Sequence, residues 1–216
     1  MPVRFYGIVV GASLALTLAL PAKAQEVPVV DVPAGTYAVD PNHARLTWSV
    51  DHLGVAPYSA RFDGFTMRLQ FDPQRIQSTA LEASVDPRSV DTGYSGPEDW
   101  DGELALSAEY LDASNHPAVT YRSTGIVRTG PRSATLNGDL TLLGVTRPMR
   151  FDVTYVGSAR EHGPAAIPTI GFVAVGTFDR TAHGLTHLAP PEPGAKGIGP
   201  VVTVRMEAEF MLEDEQ

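Results

Sequence analysis

Leu136-Asn-Gly-Asp-Leu-Thr-Leu-Leu-Gly-Val-Thr-Arg-Pro-Met-Arg-Phe151 alternates in two runs around a glycine. Leu136, Gly138, Leu140 and Leu142 fall on one parity, and Asn137, Asp139 and Thr141 on the other. A period of two reads as a strand with one buried face. Gly144 interrupts the run, a residue that reaches positive φ without steric cost. Met149, Phe151, Val153 and Tyr155 then resume the alternation against Arg150, Asp152 and Thr154. Two such runs about a glycine-containing turn predict a β-hairpin.

The same habit extends in both directions. Upstream, Leu46, Trp48, Val50 and His52 alternate with Arg45, Thr47, Ser49 and Asp51, and Phe65, Met67, Leu69 and Phe71 alternate with Thr66, Arg68, Gln70 and Asp72. Leu81, Ala83 and Val85 form a third set, and Val119 with Tyr121 a fourth. Downstream, Ile170, Phe172, Ala174, Gly176 and Phe178 share a face, and Val202 to Leu212 alternates to the end. A short first strand is predicted over Thr36 to Asp40, ended by an Asp40-Pro41-Asn42 turn. Ala60 to Asp63 reads as a connection, and Gly157 to Pro168 and Thr181 to Pro200 as loops rich in glycine and proline. Ser95 to Asp112 departs from the pattern. Pro97 suits a first helical turn, Glu98, Asp99 and Asp101 complement a helix dipole, and Trp100, Leu104 and Leu111 fall near helical spacing. One or two helical turns are predicted there, weakened by Gly102.

About eight strands, nearly all with one apolar and one polar face, predict an all-β antiparallel sheet with one wall buried. Closing into a barrel would remove the sheet edges; folding into a two-sheet sandwich would also bury the apolar wall. Small residues stand on the inward parity at Ala83, Ser123, Gly138, Ala174, Gly176 and Ala208. They suit either large-small interdigitation in a filled core or a hollow interior, and alternation does not decide between the two.

Bulk properties remove several classes of function. A net charge of −9 without a basic run opposes a nucleic-acid partner and docking on anionic headgroups. The absence of cysteine removes disulfides, thiolate metal sites and a thiol nucleophile. Residues 1–24 combine Arg4, an apolar stretch from Phe5 to Leu20 and a terminal Ala22-Lys23-Ala24. They read as a cleavable signal peptide, because the apolar run falls short of the ~20 residues of a membrane span. Export of a cysteine-free chain suits a bacterial periplasm, with no stable membrane insertion after cleavage. Residues 25–35 read as an extended lead-in and 36–213 as the folded domain, and a homodimer is compatible with the pattern.

Catalytic constellations are missing from the inward face. Neither Gly-x-Ser-x-Gly nor His-Glu-x-x-His occurs. His52 is inward by phase but alone and reads as a core residue; His43 and His116 flank proline turns. His183 and His187 lie four apart in an irregular loop, a weak metal signal. No catalytic residue, metal ligand or cofactor is assigned.

Longer stretches carry a family resemblance. Val39-Asp-Pro-Asn-His-Ala-Arg-Leu-Thr-Trp48 with His52-Leu-Gly54, Phe62-Asp-Gly-Phe65, Ser89-Val-Asp-Thr92, Leu106-Ser-Ala-Glu-Tyr-Leu-Asp112 and His116-Pro-Ala-Val-Thr-Tyr-Arg-Ser-Thr124 resemble the YceI-like family of secreted proteins. So do Gly138 to Arg147, Gly171-Phe172 and Phe178-Asp-Arg180, over roughly Gly35 to Glu213. The resemblance implies an elongated, lipocalin-like antiparallel barrel with a short flanking helix, holding a polyisoprenoid, isoprenoid quinone or similar long-chain lipid. Tail contacts are then expected from Trp48, Val50, Phe65, Met67, Leu69, Leu140, Met149, Phe151, Phe172 and Met206, each of which also suits plain core. Asp99-Trp-Asp-Gly-Glu-Leu104 departs from the family, in which a basic-acidic pair and a His usually precede the Leu-x-Ser element. Rival expectations are a stress-related or interaction barrel filled by its own side chains, and an enzyme acting on a lipid or amide.

Overall fold

Strand backbones carry N–H and C=O groups that neighbouring strands must satisfy, and this chain meets the demand by closing one antiparallel sheet on itself. The computed structural model describes residues 30–192 and 194–214. The expected signal peptide and the first part of the lead-in lie outside the described residues. The strands are β1 (Gly35–His52), β2 (Ala56–Phe62), β3 (Phe65–Phe71), β4 (Ala80–Val85), β5 (Val90–Asp91), β6 (Val119–Arg128), β7 (Ser133–Leu142), β8 (Val145–His162), β9 (Ile167–Asp179) and β10 (Ile198–Leu212). Among the described residues the single α-helix is α1 (Trp100–Leu106).

Pairing runs β10-β9-β8-β7-β6-β4-β3-β1, and β1 pairs back onto β10 to complete the ring. The barrel therefore has eight staves. β2 and β3 are successive lengths of one stave: Phe62–Ala56 face Leu46–His52 of β1, and Phe71–Arg68 face Gly35–Ala38. On its outer edge β2 pairs only with β5, through Arg61–Asp91 and Phe62–Val90. The sandwich is thereby excluded and the barrel with a flanking helix is the fold.

Several local expectations need correction. Asp40-Pro41-Asn42 does not end a strand. The segment from Asp40 to His43 is a bulge inside the continuous β1, where the register with β10 jumps between Val39–Phe210 and Ala44–Ala208. The connection expected through Ala60 is part of β2, in which Tyr58, Ala60 and Phe62 turn inward. The loop expected from Gly157 to Pro168 is mostly strand; β8 runs to His162 and β9 starts at Ile167. Pro97 precedes the helix. Asp99 is its N-cap, accepting from the Gly102 N–H at 3.0 Å, and Leu111 lies beyond its end. A Cβ on Gly102 would lie 2.9 Å from Asp99 Oδ1 and closer still to the other carboxylate atoms, so the glycine that weakens the helix also makes room for the cap.

The hairpin read first is confirmed in detail. β7 and β8 pair in unbroken register from Ser133–Thr154 to Leu142–Val145, with Leu136, Gly138, Leu140, Leu142 and Met149 buried. Leu143 and Gly144 both take positive φ at its tip, +51° and +73°, as a tight two-residue hairpin turn requires.

A candidate ligand cavity

Closing an eight-stave barrel leaves an interior whose contents depend on side-chain size. Here one end is crowded by aromatic side chains. Tyr37 and Ile170 are fully buried, and Tyr37 donates through its hydroxyl to the Pro33 carbonyl at 2.6 Å. Phe172 meets Phe71, Tyr155 and Phe210 at ring separations of 6.1, 6.1 and 6.3 Å in edge-on contacts. Val32 of the incoming chain is buried against this cluster. A cavity of about 1000 Å³ runs from this cluster, where Phe71, Phe172 and Phe210 line it, to the end covered by α1. That is the upper end of the range for small-molecule sites, roughly 300–1,000 Å³.

Nine of the ten residues expected to touch a tail line this cavity: Trp48, Val50, Met67, Leu69, Leu140, Met149, Phe151, Phe172 and Met206. Phe65 does not. It is half-buried, packs on the main core cluster and pairs with Val85 at the start of β3. The lining also includes Tyr58, Phe62, Tyr121, Tyr155 and Tyr110, which the sequence reading had not assigned. Tyr58 and Phe62 were legible in the alternation of β2, had that segment been read as a strand.

Five of the six small residues on the inner face divide into two groups, and the sixth, Ser123, accepts from the Leu81 N–H at 2.7 Å. Ala83, Ala174 and Ala208 line the cavity. Gly138 and Gly176 instead make room for neighbours. A Cβ on Gly138 would meet the Tyr121 ring and sit 2.6 Å from the Arg122 carbonyl. On Gly176 it would lie 2.6 Å from the Arg150 carbonyl, 2.8 Å from Phe151 Cδ1 and 2.9 Å from Met149 Cε. The space suggested by Gly138 is thus occupied by Tyr121, whose buried phenol has its pKa raised by desolvation.

The wall is apolar except for a few groups. Trp48 Nε1 and Thr79 Oγ1 are shut off from solvent without hydrogen-bond partners, and both residues line the cavity. Leaving such groups unpaired costs about 1–3 kcal/mol each. Arg180 is buried but saturated: it donates to the carbonyls of Gly199, Leu185, His187 and Ile198 at 2.7–3.1 Å, tying the 185–199 loop to the barrel end. Burial pulls its pKa below the ordinary guanidinium value.

His52, His183 and His187 do not gather into a reactive site. His52 is exposed at the mouth rather than a core residue. His183 is buried with Nδ1 3.0 Å from the Val145 carbonyl, whereas His187 lies edge-on to Tyr110 at 4.9 Å on the cavity wall. The acids of the divergent helix segment have structural partners: Asp101 accepts from the Thr92 N–H at 3.0 Å and its hydroxyl at 2.6 Å, and Glu98 from the Tyr94 hydroxyl. Exposed apolar side chains rim the α1 end, including Leu53, Val55, Tyr94 and Leu188. Leu53 and Leu188 take φ of +60° and +54°, values a leucine rarely adopts.

Fold and cavity together define a hollow antiparallel barrel with an apolar lining. The family model described as the YceI-like domain matches residues 37–210, and the chain belongs to that family. A UPF0312 protein of Vibrio cholerae is 30% identical over 139 residues, 62% of this chain and 71% of its own. One from Pseudomonas putida is 29% identical over 176 residues, 81% and 85%. Among solved structures, Burkholderia cenocepacia BcnA superposes with a TM-score of 0.65 at 19% identity, covering 79% of this chain and 98% of its own. A polyisoprenoid binding domain from Saccharophagus degradans gives 0.57 at 13% identity, covering 82% and 98%.

Proposed function

We propose that this protein binds a long-chain amphiphile, a polyisoprenoid, isoprenoid quinone or similar lipid, inside the barrel, and carries or stores it in the periplasm after export. The observation that carries this reading is the continuous apolar cavity of about 1000 Å³ within a closed barrel, lined by side chains from nearly every stave. Burial of methylene groups contributes about 0.8 kcal/mol each, so a five-carbon isoprene unit contributes roughly 3–4 kcal/mol. Several units offset an association cost of about 4–15 kcal/mol without a strong polar contact. The apolar rim around the α1 end supports uptake of a molecule that cannot cross water freely. The hollow interior disfavours the self-filled barrel.

The test is extraction and mass spectrometry of material that co-purifies with the protein, alongside Leu140→Asp and Phe172→Arg. A charge without a partner in an apolar cavity is strongly unfavourable to a lipid tail. The wild type is expected to carry a long-chain amphiphile and the folded variants to lose it. Full lipid occupancy in a folded variant would refute the assignment.

A further inference from the structure

The bulge in β1 places more chemistry on the outer wall than the barrel needs. Where the register jumps between Val39–Phe210 and Ala44–Ala208, the segment from Asp40 to His43 stands opposite a single residue of β10, Glu209. Donor atoms of Asp40, His43 and Glu209 all lie within 4.8 Å of one another. Asp40 is 6% exposed, and His43 Nδ1 sits 2.6 Å from its Oδ2. Glu209 Oε2 is closed to solvent and accepts no hydrogen bond, and His162 Nε2, from the end of β8, lies 3.3 Å from it in ion-pair distance only. Beside Glu209 in the sheet stands Gly171, which presents no side chain to crowd the group.

We propose that Asp40, His43, Glu209 and His162 form a binding site for a divalent transition-metal ion of the zinc class, which ties the β1 bulge to β10 and to the end of β8. Two imidazoles and two carboxylates are a donor set that zinc accepts, at about 2.0–2.2 Å from each atom. In a tetrahedral shell of that radius the donors stand roughly 3.3 Å apart. Within the Asp40, His43 and Glu209 group the separations run from 2.6 Å to at most 4.8 Å and bracket that spacing, whereas His162 stands close to Glu209 alone, at 3.3 Å, and joins the shell by side-chain movement. Two carboxylate charges balance the ion, which gives the solvent-excluded oxygen of Glu209 the partner it otherwise lacks. Hard cations such as Ca²⁺ and Mg²⁺ prefer an all-oxygen shell of six or more ligands, and this cluster does not offer one. The site lies outside the lipid cavity, so it stands or falls independently of the proposed ligand.

The experiment uses the untagged full chain, freed of metal, titrated with ZnCl₂ by calorimetry and followed by thermal unfolding with and without Zn²⁺. Saturable uptake of one ion per chain and a raised Tm are expected. His43→Ala and Glu209→Gln should each weaken Zn²⁺ binding at least about tenfold and abolish the Zn²⁺-dependent rise in Tm, and His162→Ala should weaken it less. His183→Ala and His187→Ala should leave binding unchanged. Glu209→Gln preserves shape, so its circular dichroism shows whether a loss of binding is a loss of fold. If His43 and Glu209 only brace the bulge, the variants change Tm equally with and without Zn²⁺, and the proposal fails. It fails equally if Zn²⁺ uptake is not saturable, survives both variants in folded protein, or is matched by CaCl₂ or MgCl₂.

Discussion

The wall made by β7, β8 and β9 and the wall made by β2, β5 and α1 enclose the same cavity by different means. On the first, backbone ladders are long: β7 and β8 pair without interruption over the whole of β7, and β8 continues onto β9. Its inner face is fitted side chain to glycine, Tyr121 over Gly138, and Phe151 and Met149 over Gly176. On the second, the ladder nearly stops. Only Arg61 and Phe62 of β2 find partners on β5, and closure passes to side chains, with Val90, Leu104 and Ala105 buried against Trp48, Phe62, Trp100 and Tyr110. Hydrogen-bonded staves open together, whereas a seven-residue helix held by a small cluster opens alone. For a long ligand bound as proposed, the lower-stability wall is the expected route.

The largest effect is expected on the rigid wall. Gly176→Val drives methyl groups into the Arg150 carbonyl and the Phe151 ring, an overpacking that costs about 3 kcal/mol in urea-unfolding measurements. Gly157→Ala on the adjoining stave, where nothing lies within 4 Å of a new Cβ, is the control and should be near neutral. Equal losses in both would mean that close fitting does not distinguish this wall. Next in size, Leu104→Ala removes a buried anchor of the helix and costs about 2 kcal/mol. Its distinguishing effect is kinetic: release of a fluorescent amphiphile should speed up in Leu104→Ala and not in Ile170→Ala, a buried truncation on β9 outside the cavity lining. Equal release rates would break the comparison.

A smaller effect belongs to the cap. Asp99→Ala removes the acceptor for the Gly102 N–H and costs about 1 kcal/mol. Because α1 opens alone, the loss should appear as faster amide exchange at Gly102 and Glu103 with little change at Leu136 or Leu140. A uniform increase across the barrel would show that the helix unfolds only with the staves.

The same contrast explains what was legible in the sequence. The β7–β8 hairpin was legible because its two runs alternate about a two-residue turn, whereas its far ends were not: β7 starts at Ser133 and β8 runs on to His162. Nine of the ten residues named from the sequence line the cavity, since strand parity decides inside from outside in a closed barrel. Phe65 has the right parity, but it sits at a strand start where the wall is already packed. β2 was missed because Pro57 and Gly54 look like loop punctuation, and a strand with a nearly bare outer edge tolerates them. The Asp40–His43 bulge reads as a turn for the same local reason; only pairing with β10 keeps it in line. The metal cluster was invisible, because Glu209 and His162 meet the bulge through closure of the ring and not through proximity in sequence.

The smallest expected effect tests the α1 end through acid. Asp179, at the end of β9, accepts from the Thr181 N–H at 2.8 Å and from its hydroxyl at 2.6 Å, starting the turn that positions Arg180 and His183. These hydrogen bonds, led by the one from the Thr181 hydroxyl, hold its carboxyl below the usual aspartate value. A depressed folded pKa means that the contribution is fully present above the unfolded value, about 3.9, and is lost as pH falls through the folded one. Stability should therefore be insensitive to this group between pH 5 and 8, on the order of the usual plateau, and decline only in stronger acid. Asp179→Asn keeps the shape and one acceptor oxygen but no longer titrates. It should lower stability slightly at neutral pH and flatten the acid limb of the stability curve, as measured by urea unfolding at stepped pH. Because Asp179 secures the loop that Arg180 pins across the barrel mouth, ligand release should quicken over the same acid range in the wild type and less so in the variant. An acid limb unchanged by the substitution would assign acid sensitivity to other carboxylates and leave the mouth loop anchored by Arg180 alone.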